Sequence, residues 1–163
     1  MLIPLSELEL ETILKWRNQP EVRKYSLNDH FISKAEHYRW WQKIKDDPTK
    51  KWMIFQQDKE LLGVVNYYDI KTECESYWGF YPASELSDHE KLRLWFSLEK
   101  EAIKYAFDEL KLKKLKCEIF RFNKAALFMH KRSGYQEIDT YQHERGEVVV
   151  MELQPSWVKN IAR

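Results

Sequence analysis

Apolar residues recur every three to four positions near the start of the chain, at Leu10, Ile13, Leu14 and Trp16. That spacing puts them on one face of a helix. Ser6-Glu7-Leu8-Glu9 ahead of them has the form of a capping box, and Pro20 bounds the stretch. A second box, Ser33-Lys34-Ala35-Glu36, opens a helix through Trp40, Trp41 and Ile44 that stops before Asp46-Asp47-Pro48. The period then changes. Trp52-Met53-Ile54-Phe55 reads as a strand, Asp58-Lys59-Glu60 as a turn, and Leu61 to Ile70, rich in β-branched and aromatic residues, as a second strand. Ser76 to Tyr81 is a third. From Ser87, with Glu90 three residues on, a long amphipathic helix runs through Leu92, Trp95, Phe96, Ala102, Ile103, Ala106, Phe107 and Leu110. Leu115 to Phe120 forms a buried strand, and Asn123 starts a helix that ends at Ser133 with Gly134 as its left-handed cap. Tyr135 to Gln142 and Val148 to Leu153 pair as a hairpin around Arg145-Gly146. With apolar Leu2-Ile3 as an opening strand, the order is β-α-α-β-β-β-α-β-α-β-β. This is an α/β chain with a mixed sheet flanked by helices. No repeat or Pro/Gly/Ser linker interrupts it, so residues 1–163 read as a single domain.

Composition narrows the function classes. The formal charge is +1, from 27 basic and 26 acidic residues, which gives no electrostatic footprint for nucleic acid. The basic run Lys111, Lys113, Lys114, Lys116 reads as a solvated turn. The four glycines, Gly63, Gly79, Gly134 and Gly146, lie far apart, which excludes the clustered-glycine loops of dinucleotide and P-loop binding. Cys74 and Cys117 are too few for a disulfide framework and lack metal-ligand spacing, so free thiols in a cytoplasmic protein are expected, with no metal. The acidic N-terminal segment does not read as a signal peptide, and no apolar run approaches the length of a membrane span.

The element order, with Asn123 opening a helix that ends in Gly134-Tyr135, resembles the GNAT superfamily of N-acetyltransferases over nearly the whole chain. Further segments are similar to one branch: Trp16-Arg17-Asn18, Ile32-Ser33 with His37, Trp78-Gly79-Phe80-Tyr81, Tyr105-Ala106-Phe107 with Leu110, and Cys117-Glu118 followed by Asn123. That branch acetylates UDP-4-amino-4,6-dideoxy-N-acetyl-β-L-altrosamine in pseudaminic acid synthesis. The resemblance implies a GNAT-like splayed sheet in which the strands Ser76–Tyr81 and Leu115–Phe120 run parallel and then part. Parting frees main-chain groups that need partners, and the amide-rich arm of acetyl-CoA, the co-substrate, would supply them. Gly79, Phe80 and Tyr81 are the implied cofactor strand, with a backbone N–H near Gly79 or Phe80 aimed at the thioester oxygen. Gly79 also suits a bulge.

The resemblance assigns further roles. Asn123 is a helix N-cap by its position, and in the family it also touches the cofactor arm. His130, two turns on, stands where many members place a tyrosine as general acid for the departing thiolate. Imidazole suits that task with a reference pKa of about 6.5; a half-buried packing role beside Phe128 and Met129 is the other reading. Glu118 is the candidate base for the acceptor amine, or else an outward charge alternating with Lys116. Asn66 and Tyr68 share one face of their strand and would hold the nucleophile or a water, unless they are polar core residues. Arg17 and His37 fall on the helices that wall the acceptor pocket, where an arginine beside an aromatic suits a nucleotide-sugar diphosphate. Trp16, Trp40 and Trp41 read better as core.

One departure matters. The superfamily binds the CoA pyrophosphate with a glycine-containing loop at a helix N-terminus, and the usual glycines fall here at Arg93 and Trp95. Either Arg93, Lys91 and His89 hold the phosphates by side chain, or the site is altered, leaving a non-catalytic relative or one with another acyl donor. The implied activity is acetyl transfer from acetyl-CoA to the 4-amine of a UDP-linked deoxyamino sugar, by direct attack in a ternary complex. Acetylation of a peptide N-terminus and a non-catalytic binding module are the alternatives. A small-molecule nucleotide sugar is the expected partner, with no nucleic acid or membrane, and a homodimer is compatible with the resemblance.

Overall fold

In a computed structural model, residues 1–159 are described. Seven strands form one sheet in the order β1-β2-β3-β4-β5-β7-β6. They are β1 (Leu2–Pro4), β2 (Lys51–Gln57), β3 (Glu60–Lys71), β4 (Glu75–Pro82), β5 (Lys114–Phe120), β6 (Gln136–His143) and β7 (Gly146–Leu153). Helices α1 (Leu10–Arg17), α2 (Pro20–Tyr25) and α3 (Lys34–Ile44) precede β2; α4 (Asp88–Lys104) joins β4 to β5, and α5 (Lys124–Ser133) joins β5 to β6.

Strand alternation divides the core into two layers. Val65, Tyr67, Trp78, Leu115 and Cys117 pack under α4 and α5 with Leu94, Leu98, Ala102 and Leu127. Ile54, Val64 and Tyr81 pack on the other face with Ile13, Trp16, Trp41 and Ile44 of α1 and α3. Tyr67 carries a hydroxyl into the first layer and donates it to the Ala102 carbonyl at 2.7 Å.

The caps explain where helices start. Both halves of the Ser87/Glu90 box form, so α4 begins at Asp88. The Ser6/Glu9 box also closes, over a single 3₁₀ turn, Glu7–Glu9, that leads into α1. At Ser33 only the hydroxyl caps, because Glu36 turns instead to His30 Nε2 at 2.6 Å. Pro20 does not simply end a helix. It opens α2, a short helix absent from the expected order, since a proline at the first helical position needs no donor. The last helical stretch before β5 is a π-turn, Tyr105–Glu109. Gly134 has φ +108, as a left-handed cap requires, and a Cβ there would collide with the Trp157 carbonyl.

All sheet pairs are antiparallel except β4 and β5, which run parallel and pair only at Glu75↔Lys114, Ser76↔Leu115 and Tyr77↔Lys116. Beyond Tyr77 the two strands part into a fork. Each keeps its outer partner: β3 pairs with β4 as far as Pro82, and β7 pairs with β5 as far as Phe120. At the closed end, Glu75 bridges Lys116 at 2.9 Å and Lys71 at 3.0 Å. These two ammonium groups hold its carboxyl well below the usual range, at about 2. Exposed Cys74 sits on the adjoining β3–β4 turn, while Cys117 is buried in the first core layer.

Candidate active site

The fork brings together groups from both faces of the sheet. On the α4–α5 side, His130 of α5 lies under Trp78, Trp95 and Tyr135, with ring centroids 5.9, 5.9 and 4.9 Å away. Its Nδ1 meets Glu99 Oε1 of α4 at 2.7 Å. Both residues are 2% exposed, so this is a buried ion-pairing geometry. A carboxylate on Nδ1 fixes the ring and leaves Nε2 as the atom that can deliver or take a proton. Glu99 is not among the site residues expected from the sequence. Its signal is an acid among Leu94, Leu98, Ala102 and Ile103 on the apolar stripe of α4, where a lone charge needs a partner.

On the opposite face stands Glu118 of β5. Its Oε1 accepts from the Tyr68 hydroxyl at 2.7 Å, and its Oε2 accepts from the Tyr141 hydroxyl. Burial, reinforced by Glu118, raises both phenols above their ordinary range, so they remain donors. Tyr77 stacks on Tyr68 at 5.4 Å. Glu118 thus faces the fork as an acceptor braced from β3 and β6. Tyr141 and Tyr77 were not singled out by the sequence, because pairing across the fork depends on strand order.

Asn66 pairs with Gly79 across β3 and β4, and a Cβ at Gly79 would stand 3.3 Å from the Asn66 side-chain oxygen. The expected bulge at Gly79 is absent: register with β3 is regular there, and the irregularity falls between Tyr68 and Lys71 instead. Gly79 therefore serves close approach rather than a kink. Phe80 turns its ring toward Trp95 (4.9 Å, edge-on), whereas the Tyr81 side chain is buried against α1 and α3, so what Tyr81 offers the fork is backbone. Asn123 caps α5 by accepting from the Ala126 N–H at 3.3 Å.

Arg17, at the end of α1, is half-buried beside Tyr81. Its Nη2 donates to the Asn28 carbonyl, while Nη1 is buried with no partner. Burial, the largest effect, lowers its pKa from the ordinary arginine value. The loop it touches is tied from two directions. Asn18 exchanges two 2.9 Å hydrogen bonds with the Ile32 backbone. Arg145, on the β6–β7 turn, donates to the carbonyls of Ser26 (2.5 Å) and Lys24 (2.8 Å) and pairs with Asp29 at 3.3 Å.

Two expected positions move. His37 is not on the pocket wall: it is 5% exposed, stacked on Trp40 at 5.0 Å, with burial lowering its pKa and Nε2 unpartnered. It is a core histidine of the α1–α3 layer. Arg93 lies exposed on α4, a turn and a half inside a helix that the Ser87 cap starts early, so its N–H belongs to the helix. No phosphate loop forms at residues 93–95. The first turn of α4 instead carries Asp88 and Glu90, which oppose an anion at a helix N-terminus. The fork's freed backbone thus fits the amide-rich arm of acetyl-CoA, and the residues at 93–95 do not fit the glycine cradle for its pyrophosphate.

The Acetyltransferase (GNAT) domain family matches residues 1–136. The chain belongs to the GNAT acetyltransferases. A curated relative, acetyltransferase PseH of Campylobacter jejuni, is 32% identical over 136 residues, covering 83% of this chain and 82% of that protein. Among solved structures, spermidine N-acetyltransferase from Vibrio cholerae, in complex with CoA and spermine, superposes with TM-score 0.84 at 19% identity, covering 96% of each chain. C. jejuni PseH in complex with acetyl coenzyme A gives TM-score 0.72 at 24% identity, covering 95% of this chain and 99% of that one. As a GNAT enzyme, this chain is an N-acetyltransferase with acetyl-CoA as co-substrate. Among the described residues no side-chain cluster could hold a metal ion, and no helix is long and apolar enough to cross a membrane.

Proposed function

We propose that this GNAT acetyltransferase moves acetyl from acetyl-CoA to the 4-amino group of a UDP-linked deoxyamino sugar, the pseudaminic acid step implied by its similarity to PseH. Acetyl-CoA supplies the activated thioester; this chain's residues do the rest. Backbone N–H groups of β4 near Gly79 and Phe80 stabilise charge on the thioester oxygen. Glu118, directly or through a water, takes the proton that the amine loses as its nitrogen bonds to the acetyl carbon. Tyr68 and Asn66 orient that amine. His130, held by Glu99, gives a proton to the sulfur as the carbon–sulfur bond breaks. Glu118 and His130 reach the reacting atoms from opposite faces of the sheet, which suits direct attack with both substrates bound. His89 and Lys91 in the first turn of α4, with Arg93 beyond them, are the side chains that would meet the CoA phosphates in place of the glycine loop.

The observation that carries the acceptor class is Arg17. A buried guanidinium nitrogen without a partner is costly, by about 1–3 kcal/mol or more, and a diphosphate oxygen would satisfy it. A polyamine acceptor would instead be repelled there. We place the enzyme in the cytoplasm on the same reading, and a homodimer is compatible with it.

A thermal-shift panel of acetyl-CoA, UDP, UDP-amino sugars, spermidine and a short peptide tests the proposal, since a ligand that binds the native state raises its melting temperature. Acetyl-CoA and the UDP-amino sugars are expected to stabilise the protein. In Arg17→Ala the UDP-sugar shift should vanish while the acetyl-CoA shift persists. Stabilisation by spermidine or peptide with none by UDP compounds would overturn the acceptor assignment.

A further inference from the structure

In the proposed mechanism His130 meets the leaving sulfur, yet it has almost no solvent-facing surface. Something must move before any thioester reaches it. The rings packed around it are Trp78, Tyr135 and Trp95. Trp78 and Tyr135 are themselves buried and tied together, since the Trp78 indole donates to the Tyr135 hydroxyl at 2.8 Å. Trp95 differs on both counts. It is only partly buried, and its indole Nε1–H has no hydrogen-bond partner. Moving Trp78 breaks a buried hydrogen bond; moving Trp95 breaks none and lets an unsatisfied donor find water or a ligand carbonyl.

Trp95 also stands at the right place. It projects from the second turn of α4 onto the edge of Phe80, on the strand that lines the fork, and against His130 beyond it. We infer that Trp95 is a gate: its indole closes the cofactor side of the fork over His130 and swings aside to admit the acyl thioester. This inference rests on the acetyl-transfer reading for the identity of the ligand, while the closure of His130 by Trp95 stands apart from it. The early start of α4 at Ser87 is what places a side chain here, where the family resemblance leads one to expect a glycine. Trp95 is thus a positioning residue, acting through access to His130. For a fork open in about 1–10% of molecules, apparent affinity is reduced by that fraction, so removing the ring should tighten acetyl-CoA about 10–100-fold.

The first test needs no cofactor. Diethylpyrocarbonate modification of His130, followed by peptide mass spectrometry, should be slow in the unliganded parent and much faster in Trp95→Ala, with Trp95→Phe in between. The reactivity of exposed His89 in the same samples is the internal standard. A folded Trp95→Ala in which His130 stays as protected as in the parent would overturn the gate. If Trp95→Ala does not fold, 5-fluorotryptophan labelling of the parent decides, with Trp95→Phe assigning the resonance. On adding acetyl-CoA the Trp95 fluorine signal should move while that of Trp78 stays; a Trp95 signal unmoved by calorimetrically verified binding would equally overturn it. Steady-state kinetics should show the effect in the KM for acetyl-CoA rather than in kcat. Absence of acetyl-CoA binding to both parent and Trp95→Ala would sink the proposed function, whereas unmasking of His130 in the variant would still report the gate.

Discussion

At the scale of single residues, the proposed mechanism depends on two buried or braced acids, Glu99 and Glu118, and on what each holds. His130→Gln keeps a side chain of similar reach but cannot deliver a proton, so kcat should fall about ten- to ten-thousandfold with acetyl-CoA affinity nearly unchanged. Calorimetry and rapid-quench measurement of the chemical step check both halves; an unchanged chemical rate would remove His130 from the mechanism. The pair with Glu99 also carries stability, because either partner alone is left as an unsatisfied polar group in a core position. Glu118 differs, being held by the hydroxyls of Tyr68 and Tyr141 rather than by an imidazole.

At the scale of elements, the fork is governed by its closed end. Glu75 on β4 is pinned to Lys116 on β5 and to Lys71 on β3. Its carboxyl sits at about 2 in the folded chain against an ordinary 4.5. A depressed folded pKa contributes stability that is present above about pH 4.5 and lost as pH falls toward 2. With part of the attraction screened by nearby solvent, that contribution is about 1 kcal/mol. Glu75→Gln should flatten the acid limb of the stability curve in urea titrations between those pH values and leave the neutral-to-basic limb parallel to the parent's. An unchanged acid limb would show that the pair does not hold the fork shut. Much of this architecture was legible in the sequence. The Ser6 and Ser87 boxes, the Asn123 cap and the Gly134 stop mark local hydrogen-bonding requirements that any fold must meet. The fork itself was legible only through family resemblance. Illegible from the chain alone were α2, where Pro20 reads equally as an end or a beginning, and the bracing of Glu118 by Tyr68 and Tyr141, 50 and 23 residues distant. His37 looked functional beside Arg17 because the two share a helical neighbourhood; which of them faces inward is decided by how α1 and α3 pack.

At the scale of the whole molecule, the two halves of the sheet are joined a second time, away from the strands. Arg145, on the hairpin that closes the chain's last strand pair, grips the α2–α3 segment through two carbonyls and Asp29, over the ring of Phe120 at 5.2 Å. Arg145→Ala should free residues 26–33 to move. The expected loss of about 1–2 kcal/mol of loop order corresponds to roughly tenfold weaker acceptor binding, with the KM for acetyl-CoA unaffected and faster tryptic cleavage within the segment. Equal changes in both Michaelis constants would contradict a role confined to the acceptor side. The two cysteines give the same molecule a reporter. Burial pushes the Cys117 thiol far above its ordinary range, which keeps it from forming a reactive thiolate, whereas Cys74 stands in solvent on the turn beside the fork's closed end. A maleimide dye would therefore attach at one place without mutagenesis, turning the unmodified enzyme into its own optical gauge of strand separation.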